Sequence, residues 1–210
     1  MFFVERRVNE NLSAPRGGGV TFTVDIGAKL AVVVGPGGPL CDSIIAALER
    51  NGALVPRPEI EGGATPDILV LIATDRTVDA AGAEALCRDA FVRMNAGGRM
   101  VIVASALGLV PAREEATESV RAAGLLAVAK TLAMEFAVRG IAVNAVAVGP
   151  VEGDTGISTR MISHVPLRRG ARPEEVATAV LFLADPANSY MTGHVLTVDG
   201  GWTAGFARDF

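Results

Sequence analysis

Two apolar runs limit what this chain can become. Met100–Ala104 and Ile141–Val148 are near-continuous stretches of Val, Ile, Ala and Met, and an Ala-rich segment separates them. A strand that is apolar at every position has to be covered on both faces, as in a parallel sheet carrying helices on each side. Two parallel strands also need a crossover of a dozen residues or more, and the segment from Thr117 to Arg139 supplies a helix of that kind. Ser105 marks the turn after the first run, and Gly140 stands where a left-handed residue ends a helix. The same grammar recurs elsewhere: a strand at Leu30–Val34 and a helix over Leu40–Arg50, then a strand at Ile68–Ala73 and a helix over Ala80–Asn95. A further helix opens at Pro173, and a last strand lies in the run HVLTV from His194. The fold class that follows is α/β, a doubly wound parallel sheet.

At 210 residues the chain is expected to form one main domain over 30–210, preceded by an arm or hairpin over 1–29. Within that arm, FFVERRV and VTFTVDI alternate like short strands around the loop SAPRGGG. Aromatic residues are only 5% of the chain, so Ala, Val and Leu must fill the interior. A net charge of −4 argues against a nucleic-acid surface. Cys41 and Cys87 are isolated and read as small buried hydrophobes, while His164 and His194 lack carboxylates at metal spacing, so no metal site is expected. Charges follow directly on the first three residues, unlike a signal peptide, and the run Ile68–Ala73 is too short to cross a bilayer; a cytoplasmic protein is expected.

The loop Gly35-Pro36-Gly37-Gly38-Pro39 lies between a strand and a helix, the context of a dinucleotide fingerprint. Its spacing is G-x-G-G, Pro36 and Pro39 remove two backbone N–H donors, and Asp42 places a negative charge in the first helical turn. Glu59, about twenty residues on, could meet a ribose but follows Pro56-Arg57-Pro58. Only fifteen residues separate Gly52 from Asp67, too few for a further helix, strand and helix. On these grounds Gly35, Gly37 and Gly38 form a degenerate loop, and the chain is expected to bind no cofactor itself.

The pieces GGRMVIVAS, AAGLLAVAKTLAMEFAVRGIAVNAVAVGP, RPEEVATAVLFLADPANSYMTG and HVLTVDGG, covering roughly 98–202, resemble the short-chain dehydrogenase/reductase family. That resemblance implies a Rossmann-like sheet, here truncated and carrying an N-terminal extension. It also implies chemistry by a Ser, a Tyr about thirteen residues later and a Lys four beyond the Tyr. Ser105 matches the Ser, but Glu118 and Ala122 stand at the Tyr and Lys positions. The single tyrosine is Tyr190, and the two lysines are Lys29 and Lys130, the latter about 12 Å along the helix from Ala122. A phenol assisted by an ammonium can pass a proton near neutrality, whereas a carboxylate donates poorly there. Ser105 therefore reads as vestigial and the catalytic set as absent. The family's Asn has Asp79 as its nearest equivalent, Val148 stands where the resemblance implies a Pro before Gly149, Gly153 stands where it implies a Thr that holds the nicotinamide amide, and the lid over Asp154–Val165 is short.

What persists is the family's means of assembly. The helix centre Ala122–Ala129 is apolar all round, and Ala122, Ala123, Gly124 and Ala127 allow another helix to approach closely. The resemblance implies contact with a second subunit through Ala80–Asn95, Thr117–Arg139, and the last strand and tail with Trp202, Phe206 and Phe210. The reading is a non-catalytic subunit paired, in a heterotetramer, with an active relative that carries NAD and oxidises a hydroxyacyl/CoA-type alcohol. The mixed dehydrogenase of anaerobic toluene (benzylsuccinate) degradation is the family parallel. Two alternatives stay open: a cofactor-free acid/base enzyme using Ser105 and Glu118, and a nucleotide- or metabolite-sensing module. Arg168, Arg169 and Arg172 form a basic patch that reads as a solvated turn, with phosphate or carboxylate binding as the sharper possibility.

Overall fold

The computed structural model describes residues 24–56, 65–153 and 159–205. Five parallel strands form one sheet in sequence order: β1 Ala31–Val34, β2 Ile68–Ala73, β3 Arg99–Ser105, β4 Ala142–Val148 and β5 Val195–Val198. The helices are α1 Pro39–Arg50, α2 Ala80–Arg93, α3 Ala116–Phe136, α4 Thr159–Ser163 and α5 Pro173–Ala184. All of β2 and β4 and the first six residues of β3 are buried, as their unbroken apolar runs require. One face packs under α1 and α5, with Leu40, Ile44, Leu48, Val176 and Val180. The other packs under α2 and α3, with Cys87, Met94, Leu125, Leu132 and Phe136. The expected doubly wound α/β architecture is the one observed.

Helix ends differ from expectation for local reasons. The chain tightens into a 3-10 turn over Ala137–Arg139 before Gly140 takes φ 68°, so α3 stops at Phe136. The Arg139 guanidinium lies 4.8 Å from the Phe91 ring centroid, and Phe91 stacks on Phe136 at 4.1 Å. This locks the base of α2 to α3. Arg99 does the equivalent at the foot of β3, donating to the carbonyls of Gly97, Gly98 and Pro186 at 2.6, 3.1 and 3.0 Å. Burial draws that guanidinium below the usual arginine range.

Helices on opposite faces, with strands in plain sequence order, require the chain to reverse direction somewhere. It does so beside β1. After α1 the backbone passes along the outer edge, where Leu54 bridges Leu30 in parallel: Leu54 N–H donates to Lys29 and Ala31 N–H donates to Leu54, both at 2.9 Å. The chain then returns to the inner side as β2. Leu30 therefore belongs to this bridge and not to β1. Residues 1–23 of the expected arm lie outside the described residues. Val24–Ile26, read as strand, instead run beside Asn51, with Val24 N–H on its Oδ1 at 2.7 Å and Ile26 N–H on its carbonyl at 3.1 Å.

Small residues govern how closely α3 sits. Ala73, Ala104 and Ala147 stand in register across β2, β3 and β4, all fully buried. Gly108, in the 3-10 turn after β3, lies so near α3 that an added Cβ would fall 2.6 Å from the Ala122 carbonyl carbon. Ala122 is thus covered by this turn; it does not belong to the outward stripe of small residues.

The basic patch is internally satisfied. Arg169 grips both Glu175 oxygens at 2.7 and 2.8 Å, and Arg172 contributes its N–H at 2.8 Å and its guanidinium at 3.1 Å. Arg168 turns to the Ser163 carbonyl at 2.9 Å. Glu175 thereby caps α5, and the Arg169 guanidinium holds its carboxyl down to about 2. Among the described residues no helix is long and apolar enough to cross a membrane.

Two outcomes follow. Gly108→Ala forces α3 off its seat and should destabilise the fold by about 1–3 kcal/mol in urea denaturation. Glu175→Gln should remove about 1 kcal/mol, the worth of a helix cap in a side chain that is partly exposed. Because the native carboxyl lies below its unfolded value, that difference is full above about pH 5. It narrows as the pH falls from about 4.5 towards 2, which denaturation across that range would reveal.

Candidate functional site

The loops at the carboxyl ends of the strands are where an open α/β sheet binds ligands, above all at the reversal beside β1. Ser105 ends β3 there, but its Oγ accepts from Leu107 N–H at 3.2 Å and so caps the turn Ala106–Gly108. That turn rests on α3 at the fully buried Ala122, one helical turn beyond Glu118. The three positions picked out by family spacing therefore gather around a single junction between β3 and α3.

Spacing missed the residue that dominates this junction. Arg121 donates from Nε to one Glu118 oxygen at 2.9 Å and from Nη2 to the other at 2.6 Å. Both side chains are nearly buried, at 10% and 12% exposure. The remaining guanidinium hydrogens reach the Ala73 carbonyl at 3.1 and 3.2 Å and the Val78 carbonyl at 2.7 Å. Glu118 and Arg121 are an i,i+3 pair, a signal visible in the sequence; the carbonyls that anchor it are not. A fork of this kind fixes the carboxylate in place and satisfies both its oxygens. No phenol or ammonium comes near: Tyr190 stands fully in solvent before β5, and Lys130 is exposed on α3. Asp79 caps α2 by accepting from Gly82 N–H at 2.8 Å, which is a structural role.

At the reversal, Gly37 and Gly38 have φ of 81° and 84°, and a Cβ on either would meet nothing within 4 Å. The loop therefore leaves open space beside its backbone at the start of α1. Gly35 has a different reason to be glycine, since its Cβ would lie 2.9 Å from that of Ile72. Pro39 occupies the first position of α1, where no intrahelical N–H bond is lost. Asp42 is exposed in the first turn of α1. Gly153 approaches Pro39 from beyond β4, its would-be Cβ lying 3.6 Å from Pro39 Cγ. Glu59 and Asp154–Ile157 lie outside the described residues.

A cleft of about 270 Å³ lies between the loop before α3 and α4, lined by Arg113, Glu115, Met161, His164 and Trp202 among others. His164, read as a surface residue, borders this cleft. Cys87 is buried, and burial pushes its thiol up to about 12, as befits an inert packing residue. Among the described residues no cluster of His, Cys, Asp and Glu could hold a metal.

Residues 72–203 match the family described as Enoyl-(Acyl carrier protein) reductase. The chain is 40% identical over 108 residues to a 3-oxoacyl-[acyl-carrier-protein] reductase of Synechocystis, covering 50% of this chain and 44% of that one. Its first curated relatives are spanned only in part, from 24% to 52% of their length. Among solved structures, a short-chain dehydrogenase/reductase from Serratia marcescens superposes with a TM-score of 0.76 at 22% identity, over 85% of this chain and 99% of that one. BdcA, whose crystal structure is a complex with NADPH, superposes with a TM-score of 0.67 at 22% identity, over 83% of this chain and 94% of that one.

The expectation that this chain binds no cofactor is corrected by that company. Its reasoning counted donors along the sequence, whereas Pro39 stands at the first position of α1, where the helix uses no N–H, and the space above Gly37 and Gly38 is open. From the family match and the shared fold, the chain belongs to the short-chain dehydrogenase/reductase family.

Proposed function

We propose that this chain is a dinucleotide-holding but non-turnover subunit of a short-chain oxidoreductase, assembled with an active relative acting on an acyl-thioester alcohol or ketone. The observation that carries the reading is the Glu118–Arg121 fork. The position from which the family's proton would come holds a carboxylate with both oxygens engaged at 2.9 and 2.6 Å, and its neighbour Ala122 is fully buried.

The loop fits a nicotinamide dinucleotide at its phosphate end. Backbone N–H groups of Gly37 and Gly38 and the amino terminus of α1 would hold the phosphates, with bare space above both glycines. Such a group supplies hydride donor and acceptor chemistry when bound. This chain's own residues would bind and orient it; Ser105 Oγ is engaged as an acceptor from Leu107 N–H, and both Glu118 oxygens are held by Arg121. The acyl-thioester class is taken from the Synechocystis relative's name.

The partner surface is supported by exposure. Val120 and Met134 on α3 and Val138 in the turn that follows it are 74%, 76% and 85% exposed, and Val92 on α2 is 77%. With Gly124, Ala127 and Thr131 they form a stripe at alternating spacings of four and three, the pattern by which helices interlock. A hollow of about 150 Å³ along it, walled by Gly124, Ala127, Val128 and Glu84, suits an apolar knob. Phe206 and Phe210 lie outside the described residues.

Two measurements test this. NADPH fluorescence titration of the purified chain should show saturable binding, weakened at least tenfold by Gly37→Asp, which puts a carboxylate beside the loop's backbone N–H groups; no binding at millimolar NADPH would overturn the dinucleotide reading. In the complex with its active relative, Glu118→Gln, which keeps an acceptor for Arg121 but cannot serve as a base, should leave turnover within about twofold. A loss of a hundredfold or more would make Glu118 a catalytic group and refute the non-turnover assignment.

A further inference from the structure

The Arg121 guanidinium makes five hydrogen bonds, one for each of its N–H groups, so none is left for a ligand. Its acceptors have a pattern all the same. The Ala73 carbonyl belongs to the last residue of β2, and the Val78 carbonyl stands just before Asp79, the cap of α2. One guanidinium therefore holds both ends of the loop 74–77. Inside that loop Asp75 accepts from the Thr77 hydroxyl at 2.7 Å. Just past it α2 begins against α3 where bulk is excluded, since a Cβ on Gly124 would lie 3.0 Å from that of Ala80.

The strand register places this loop between the two other loops of the site. Val34 pairs with Leu71, and Ala73 pairs with Ala104. Gly35 accordingly lies against Ile72, and Ser105 is one residue past the partner of Ala73. The glycine loop leaves the sheet from β1, the clamped loop from β2 and the Ser105 turn from β3. Neighbouring strands stand about 4.8 Å apart. A ligand reaching from Gly37 and Gly38 towards Ser105 has to cross the end of β2, and the clamped loop walls its path.

We propose that Arg121 is a positioning residue for the dinucleotide, a role that rests on the dinucleotide-holding function proposed above. Without touching the ligand, its guanidinium presets the loop 74–77 as one wall of the crevice. A connecting segment in such a place is ordinarily among the more mobile parts of a fold, and a ligand bears the cost of ordering it. Tying both ends to a helix already seated on the sheet removes that cost before binding. Glu118 serves the same end indirectly. It balances the buried cation and takes the two N–H groups that the carbonyls leave over.

NADPH titration of four variants tests this. Arg121→Lys keeps the charge and its carboxylate partner, but an ammonium cannot reproduce the planar fork that reaches four acceptor atoms. It should weaken binding about fivefold or more, within the range by which residues remote from a ligand modulate its affinity. Glu118→Gln combined with Arg121→Met removes both charges together, leaves no carboxylate unpaired, and should weaken binding as much. Glu118→Gln alone keeps the bonds to both carbonyls and should stay within about twofold of the unaltered chain. Glu175→Gln, which lowers stability at the cap of α5, should also leave affinity within about twofold, separating positioning from general destabilisation. Affinity close to that of the unaltered chain in Arg121→Lys or in the double variant overturns the proposal and leaves the dinucleotide reading standing. Absence of NADPH binding by the unaltered chain overturns both.

Discussion

The structure depends on one requirement: strands that are apolar on both faces must be shielded on both. β2 and β4 are buried along their whole length, so the chain has to send helices to each side of the sheet. A set of right-handed crossovers stepping always in one direction would place every helix on the same face. For α1 the brief excursion to Leu54 provides the exception, because it puts that helix and its connection on the outer side of β1 before the chain comes back as β2; α5, which joins β4 to the neighbouring β5, lies on α1's face as well. The crevice that such a reversal opens is where the glycine loop sits. The placing of α1 and the location of the ligand crevice are therefore consequences of the same topological step.

The second organising contact is the Arg121 fork. It joins α3 to the chain beyond β2 through two carbonyls and a carboxylate, at a place where relatives of this chain are expected to do chemistry. A nearly buried arginine needs this many acceptors, because an unpaired guanidinium in such surroundings would be strongly destabilising. Once Glu118 is recruited to satisfy it, its oxygens have little left to offer a substrate. The family membership and the local geometry bear on different questions here: the first concerns the class of protein, the second what this particular junction can do.

Much of the fold was legible because its signals are local. The limits of β2 coincide with its apolar run, Ile68–Ala73, and Gly140 ends the long helix region as its position implies. Errors arose where a distant partner decides the outcome. Leu30 reads as strand but pairs with Leu54, and Val24–Ile26 alternate like a strand yet are held by Asn51. At the site, family spacing located Ser105, Glu118 and Ala122, whereas Arg121 stayed hidden because the carbonyls it meets are 48 and 43 residues away. The cofactor reading failed for a similar reason: it counted donors lost to proline, while the open space above Gly37 and Gly38 is a matter of three dimensions.

The row of alanines at Ala73, Ala104 and Ala147 has a reach beyond its own packing. Methyl groups make the sheet thin at its upper rim, and that thinness lets the long helix settle low enough for a guanidinium to touch the backbone beyond β2. Swapping any of the three for valine would act as a shim under the helix, loosening the junction from behind without altering a single polar group. Control over the crevice thus resides partly in side chains that never see solvent and carry no charge.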